Sequence, residues 1–377
     1  MFRRKLRFIQ AIVTLAHLII SVFSPAINQQ PQTFDTLIVG AGLAGCLLAW
    51  RLHQAGKQVI LVGDMQSPCA SSVAAGVINP VTGRWAVKTW RINDLIPEAE
   101  ACYRELEATF DICFYHPIPL RRFCQNSDDL KRIGRRLRNP RYADVLGKMH
   151  AAGDSPAAIR DEYGSFDILQ ASYVDIPPLL ATLRKFFSCH DLVFEHGNLS
   201  RERDLWRYNE FAAKQVIFCE GAGVQNNPWF ADIPMTPVKG ETLLVEYPGL
   251  QLPRAIYHHR KWILPYDDNS FRIGATYKED FRSAAPTASG AKELLEGAQA
   301  FLGSEQPLKV IKHLAGVRPC TADARPIMGP HPDEPELYLF NGLGSKGASL
   351  TPLLSRHFVE YLLHQHPLDP EVALNRF

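Results

Sequence analysis

No C-x-x-C pair occurs among the eight cysteines, which stand singly at Cys46, Cys69, Cys102, Cys113, Cys124, Cys189, Cys219 and Cys320. That scatter excludes a zinc finger or ribbon and a dense disulfide framework, and it reads as small, reduced core residues. Low-complexity tracts and internal repeats are missing, which excludes solenoids and arrays. Neither sign of charge dominates: 41 basic against 39 acidic residues give a net +2. Setting aside Arg3, Arg4, Lys5 and Arg7, which lie in an acid-free leader, leaves a slight excess of acid. Net charge therefore gives no pointer to a polyanion.

Long apolar runs are scarce as well. The clearest covers 8–23, follows the four basic residues, is interrupted by Gln10 and His17, and exits through Ser24, Pro25 and Ala26. It is short for a spanning helix. Two readings stand: a secretory signal or short anchor, which means an exported or membrane-attached protein, or an upstream extension with translation starting near Gln32, which means a cytoplasmic one. Residues 1–32 are set aside for fold purposes.

What is present begins at Leu37, Ile38 and Val39, an apolar run with the pattern of a buried parallel strand. It leads into Gly40, Gly42 and Gly45, spaced as G-x-G-x-x-G, and then into a helical pattern stopped by Gly56. The first glycine allows a tight turn, the second a close approach of pyrophosphate, and the third close packing of helix on strand. Phosphates rest on the free N–H groups at the positive end of the helix, here those of Gly40 to Gly45 with Ala41, Leu43 and Ala44 between. A second strand over 58–62 completes a β-α-β unit. The ribose-binding acid belongs at its end, where Gly63 stands; Asp64, one residue on, is the candidate. These features alone allow NAD, NADP or FAD.

Further along, 94–110 has a one-sided apolar helical pattern. Residues 127–138 form a helix that Ser127 caps, with Asp128 and Asp129 at its start and Arg135, Arg136 and Arg138 at its end, as the helix dipole favours. Strands are expected over 114–120, 192–195 and 215–219, and period-two alternation after Met235 predicts antiparallel strands over 237–246, 262–265 and 271–276.

Several ordered segments resemble the D-amino-acid oxidase and glycine oxidase family of flavoproteins. Ser71, Ser72, Ala75, Gly76 and Val77 match the loop that passes the FAD phosphates toward the flavin, and Gly221 and Gly223 match the strand end under the pyrophosphate. Arg318, in the run from Ala315 to Gly329, matches the Gly-x-Arg-Pro signature whose arginine binds a substrate carboxylate. Gly342, Gly344, Ser345, Lys346 and Gly347 match the loop and helix start beside the flavin pyrimidine, where Lys346 adds positive charge. The wording of this last loop is close to the oxidase half of the bifunctional wobble-uridine tRNA-modification enzyme. Tyr257, Tyr266 and Tyr277 are further candidates for the pocket wall.

The resemblance implies an α/β fold: a discontinuous Rossmann-like FAD domain (33–92, 169–234, 312–377) and an α+β substrate domain on an antiparallel sheet (93–168, 235–311). It implies an FAD-dependent oxidoreductase that takes a hydride from the carbon beside the nitrogen of an amine or amino acid. Arg318 and Lys346 are the catalytic candidates, dioxygen or another acceptor regenerates the flavin, and no metal takes part. Two rivals stay open: oxidation of a tRNA wobble-uridine side chain, with the 121–141 arginines holding RNA, and a flavin-binding protein without turnover.

Overall fold

The computed structural model describes residues 32–247, 252–303 and 307–377, so the leader and its alternative readings lie outside it. Two eight-stranded sheets dominate the described residues. In chain order the elements that matter are β1 (Gln32–Val39), α1 (Leu43–Gln54), β2 (Val59–Gly63), α2 (Ala70–Val73), α3 (Ile92–Phe110), β3 (Leu120–Phe123), α4 (Ser127–Leu137), β4 (Leu146–His150) and β5 (Ser165–Ile168). Then come α5 (Ile176–Phe186), β6 (His190–Asp191), β7 (Leu199–Glu202), β8 (Leu205–Tyr208), β9 (Phe211–Phe218), β10 (Val238–Glu246), β11 (Ile256–His258), β12 (Trp262–Pro265) and β13 (Ser270–Gly274). The chain closes with α6 (Ala288–Gln299), β14 (Lys309–Arg318), β15 (Ile327–Pro330), β16 (Leu337–Asn341) and α7 (Gly347–His364).

The first sheet runs β6-β2-β1-β9-β8-β7, with β16 also paired to β9 and β15 to β16. β6, β2, β1, β9 and β16 are mutually parallel, the arrangement that buries both faces. Helix α1 shows why. Leu47, Leu48, Ala49 and Leu52 are fully buried on it, and each such leucine contributes roughly 1.5–3 kcal/mol relative to exposure. The other face packs Leu37, Val39, Val62, Val216 and Phe218 against Trp206 and Phe230.

The second sheet runs β14-β10-β13-β12-β11-β3-β5-β4 and is antiparallel except where β3 meets β11. Two separate stretches of chain build it, 120–168 and 238–318. Its β10 and β14 present one face to the first sheet's loops, and α6 covers the other.

Local departures from the sequence reading have physical causes. Asn126, not Ser127, caps α4: its side-chain oxygen accepts from the Asp129 N–H at 2.9 Å. The strand expected over 114–120 is two, because Tyr115–Pro117 pairs with Ser172–Val174 while β3 joins the second sheet. Residues 192–195 are not a strand. Pairing ends at β6, and the Phe194 ring instead stacks on Tyr208 at 4.1 Å. The expected 271–276 strand stops at Gly274, after which Thr276 turns back onto Glu241.

Candidate active site

The turn after β1 is held by its glycines. Gly40 has φ +111°, and a Cβ there would overlap the Cys219 carbonyl at the end of β9. Gly45 lies against the Gly40 carbonyl, so no side chain fits between helix and turn. The Gly40 N–H donates to Val62 O at 2.8 Å, and the Cys219 N–H to Val39 O at 2.7 Å, so three parallel strands end together. From α5, Arg184 Nε donates to Ala41 O at 2.8 Å and fixes the loop. Gly42 gives α1 no side-chain cap, and Ser71 Oγ takes the Leu43 N–H at 3.0 Å. Beyond that Leu43 bond, the first-turn N–H groups of α1 have no side-chain cap, a place suited to an anion.

Above it lies a cavity of about 730 Å³, a size suited to a cofactor. Gly40, Ala41, Gly42, Leu43, Ala44 and Asp64 line one end. Ser71, Ala75, Gly76 and Val77 also line it, as do Gly221, Gly223, Gly344, Ser345 and Gly347. The structure thus gathers fifteen of the nineteen residues proposed for the cofactor, from positions over three hundred residues apart. Gly45, Ser72, Gly342 and Lys346 do not line it. Gly45 packs behind the turn. Ser72 closes the first turn of α2, its hydroxyl donating to Cys69 O at 2.9 Å. Gly342, at φ +75°, makes a turn against Ile327 and Thr321. Lys346 lies half-buried near Arg325; burial, with that guanidinium second, holds its ammonium below the usual lysine range.

At the other end, β10 and β14 present Arg318. Its guanidinium lies where a Cβ on Gly240 would be, and both Nη atoms donate to Thr276 O at 3.2 Å. Tyr277 stacks on it at 5.4 Å. Among the described residues no carboxylate pairs with Arg318. Asp323, five residues on, pairs instead with Arg376 at 2.8 Å. Burial would raise the Asp323 carboxyl, but hydrogen bonds from Arg376 and the Arg325 N–H bring it down to about 2. Burial also lowers Arg318 from the usual guanidinium range. Beside it, the Trp262 indole lies flat over Gly274, another place with no room for a Cβ, and lines the cavity with Thr242.

Of the three tyrosines, none lines the cavity. Tyr257 is buried and donates its hydroxyl to Pro253 O, Tyr266 is exposed, and Tyr277 reaches the site only by backing Arg318. Of the arginines over 121–141, Arg121 pairs with Asp167, Arg122 donates to Gly83 O, Arg132 pairs with Asp129 and lies over Trp85, and Arg136 bonds Tyr142, while Arg135, Arg138 and Arg141 are exposed. Among the described residues there is no cluster of His, Cys, Asp or Glu placed to hold a metal, and no helix long and apolar enough to cross a membrane.

Sequence reasoning missed several cavity residues. Asn341, at the end of β16, donates to Gly221 O at 2.9 Å and ties the C-terminal loop to β9. Glu220 and His196 meet at 2.8 Å in the wall. Burial raises the Glu220 carboxyl, opposed by hydrogen bonds from Asn227 and His196. A charged residue inside the 215–223 strand end was the available signal; His196 and Trp262 carried none.

Comparison with known proteins settles the class. The family described as DAO, FAD dependent oxidoreductase, matches residues 35–361. The chain belongs to the DAO family. Glycine oxidase of Bacillus licheniformis is 24% identical over 355 residues, covering 88% of this chain and 94% of its own. A tRNA 5-methylaminomethyl-2-thiouridine biosynthesis bifunctional protein of Marinobacter nauticus is 25% identical, covering 91% of this chain and 57% of its own. Among solved structures, glycine oxidase from Geobacillus kaustophilus superposes with a TM-score of 0.78 at 21% identity, over 92% of this chain and 99% of that one. Iminodiacetate oxidase from Chelativorans sp. BNC1 gives 0.74 at 21% identity, over 90% and 98%. This DAO-family chain is an FAD-dependent oxidoreductase. Its cavity agrees with that cofactor: a helix start whose N-cap residue, Gly42, carries no side chain lines it, and the glycines at 40 and 45 keep the turn tight.

Proposed function

We propose that the protein oxidises the C–N bond of an amino acid or another carboxylated amine. The observation that carries this reading is Arg318, a half-buried cation in the cavity wall that no acid among the described residues pairs with. A guanidinium keeps its charge even when desolvated and offers paired donors to two oxygens, which suits a substrate carboxylate. Thr276 O and Tyr277 fix its plane, so the carboxylate is oriented as well as bound.

When bound, FAD supplies a two-electron acceptor for the hydride on the carbon next to nitrogen, and dioxygen or another oxidant restores it. The chain's own part is positioning and electrostatics. Gly40 to Ala44 hold the pyrophosphate; Ala75, Gly76 and Val77 pass the ring without large side chains. The start of α7, with Ser345 and Gly347 lining the cavity beside it, favours negative charge there. Arg318 and Trp262 confine the substrate. Loss of hydride from carbon and a proton from nitrogen leaves an imine, which water hydrolyses to a carbonyl compound and the released amine. No side-chain base is required when the amine binds neutral.

The test is an anaerobic screen of amino acids and secondary amines for bleaching of the flavin spectrum, repeated with Arg318→Lys. A raised KM for carboxylated substrates, with the flavin still bound, is the expected result. Unchanged KM values in Arg318→Lys would remove the carboxylate assignment. Dioxygen consumption matched by peroxide formation tests the acceptor.

A further inference from the structure

The adenosine half of a bound dinucleotide presents a ribose diol, and Rossmann-type folds ordinarily meet it with an acid at the end of the second strand. In this chain that place is closed. Gly63 stands there, and a Cβ on it would lie 2.7 Å from the Ala41 nitrogen and 3.0 Å from the Ala41 Cβ. Asp64 comes next, and one of its two carboxylate oxygens is committed to its own loop. Oδ1 accepts from the Gln66 N–H at 2.8 Å and the Ser67 N–H at 3.0 Å. Asp191 in β6 ties the same loop down, accepting from Met65 N–H at 2.8 Å and Gln66 Nε2 at 2.6 Å.

A second acid stands in the cavity wall, at the end of a different strand. Glu220 follows β9 where the chain turns into Gly221, and its side chain is 11% exposed. Oε1 lies 2.8 Å from His196 Nε2, and Oε2 accepts from Asn227 Nδ2 at 2.8 Å. Each carboxylate oxygen offers two lone-pair directions, so one on each is left for a ligand hydroxyl. His196 arrives on the irregular segment after β6, together with Val193 and Phe194, which line the same stretch. Val193 is 69% exposed although large and apolar, and Phe194 is held by its stack on Tyr208. An apolar patch beside a buried carboxylate and an imidazole matches a purine joined to a vicinal diol. A purely structural His–Glu pair gives no reason for these groups to face the cavity that holds the cofactor.

We propose that Glu220, oriented by His196, holds the ribose of the FAD adenosine, that Val193 and Phe194 cover the adenine, and that Asp64 is not the ribose ligand. The inference concerns only how the cofactor is held, so it stands or falls independently of the substrate.

The experiment titrates apoprotein with FAD and with FMN, following flavin fluorescence. FMN shares the ring, ribityl chain and first phosphate but lacks adenosine, so it separates this contact from the rest of the cavity. Glu220→Gln and His196→Gln are expected to weaken FAD binding about tenfold, the scale of one charge-assisted hydrogen bond, and to change FMN binding less than about twofold. Asp64→Asn should leave both within about twofold. An FAD-specific loss in Asp64→Asn would overturn the proposal, as would equal losses of FAD and FMN in a Glu220→Gln apoprotein that melts like the wild type. Should Glu220→Gln fail to fold, His196→Gln decides alone, and wild-type FAD affinity in that variant would overturn it.

Discussion

On the face of β10 turned to α6, Lys239 and Glu241 are 2% and 0% exposed and lie 3.2 Å apart; on the face turned to the cavity, Gly240 makes room for a guanidinium that meets no carboxylate. The first face is fully paired. Glu241 also accepts from the Thr287 N–H at 2.9 Å and hydroxyl at 2.7 Å and meets His313 at 2.8 Å, while Lys239 donates to Ala285 O. These bonds anchor the far end of the 276–287 segment. Its near end is held on the same strand: the Thr276 N–H donates to Glu241 O at 3.1 Å, and Lys278 exchanges backbone bonds with Lys239. That segment carries Thr276 O and Tyr277, the two groups that orient Arg318. One strand thus bears a charge cluster that is satisfied and one cation that is not. The satisfied cluster holds the frame, and the unsatisfied cation is kept for a ligand.

The comparison can be broken from either side, and the two breaks read out differently. Glu241→Ala leaves the Lys239 ammonium buried without its partner, and a loss of about 3–5 kcal/mol in urea unfolding is expected. A loss below about 1 kcal/mol would show that this cluster does not carry the frame. Arg318→Met is the opposite case. Folding stability should fall by no more than about 1–3 kcal/mol, because only the Thr276 carbonyl loses its donors and no charge is orphaned, while affinity for a carboxylated amine falls about 100-fold with FAD binding unchanged. Marked destabilisation by Arg318→Met would instead make the arginine structural.

Two smaller effects sharpen the contrast. In Gly240→Ala the new methyl occupies the guanidinium's place, so KM for a carboxylated substrate should rise about tenfold while the melting curve moves little. An unmoved KM would show that Arg318 has another seat. The last test is pH. Burial would raise the Glu241 carboxyl, but the Thr287, Lys239 and His313 bonds hold it net below its usual 4.5. A depressed carboxyl contributes stability that is present above its unfolded value and lost as pH falls through the folded one. Below about pH 4.5 the wild type should therefore lose stability more steeply than Glu241→Gln, as followed by acid titration of the fluorescence.

Much of this was legible in the sequence because local spacing carried it. Leu37 to Gly45 states a strand, a turn and a helix within nine residues, and the cavity's glycine wall follows from that. The order of the Gly76, Gly221, Arg318 and Gly344 segments supplied the family, and the structure brings all four to one cavity. What was not legible depends on partners distant in the chain. Glycine at 240 and 274 is explained only by Arg318 and Trp262, which lie over them from neighbouring strands. Arg184 reaches Ala41 across 143 residues, and nothing in its helix announces a loop clamp. Residues 192–195 look like a strand by composition, but β6 stops after two pairs, and the Phe194 stack takes the chain off the sheet. At α4, Ser127 and Asn126 are both good caps by type, and only the backbone geometry chooses between them.

The pairing of β1 with β9 has a consequence for synthesis of the chain. Their register joins Leu37 to Val216 and Val39 to Phe218, so one edge of the apolar β1–β2 pair has no neighbour until some 150 further residues have been made. At typical elongation rates that is on the order of ten seconds, during which an unpaired, apolar strand edge is presented to whatever is nearby. The cavity floor at Gly40 needs Cys219 from β9, and its far wall needs the residues around Gly344. The nascent chain therefore lacks a complete cofactor cavity until β9 and the segment around Gly344 have been made.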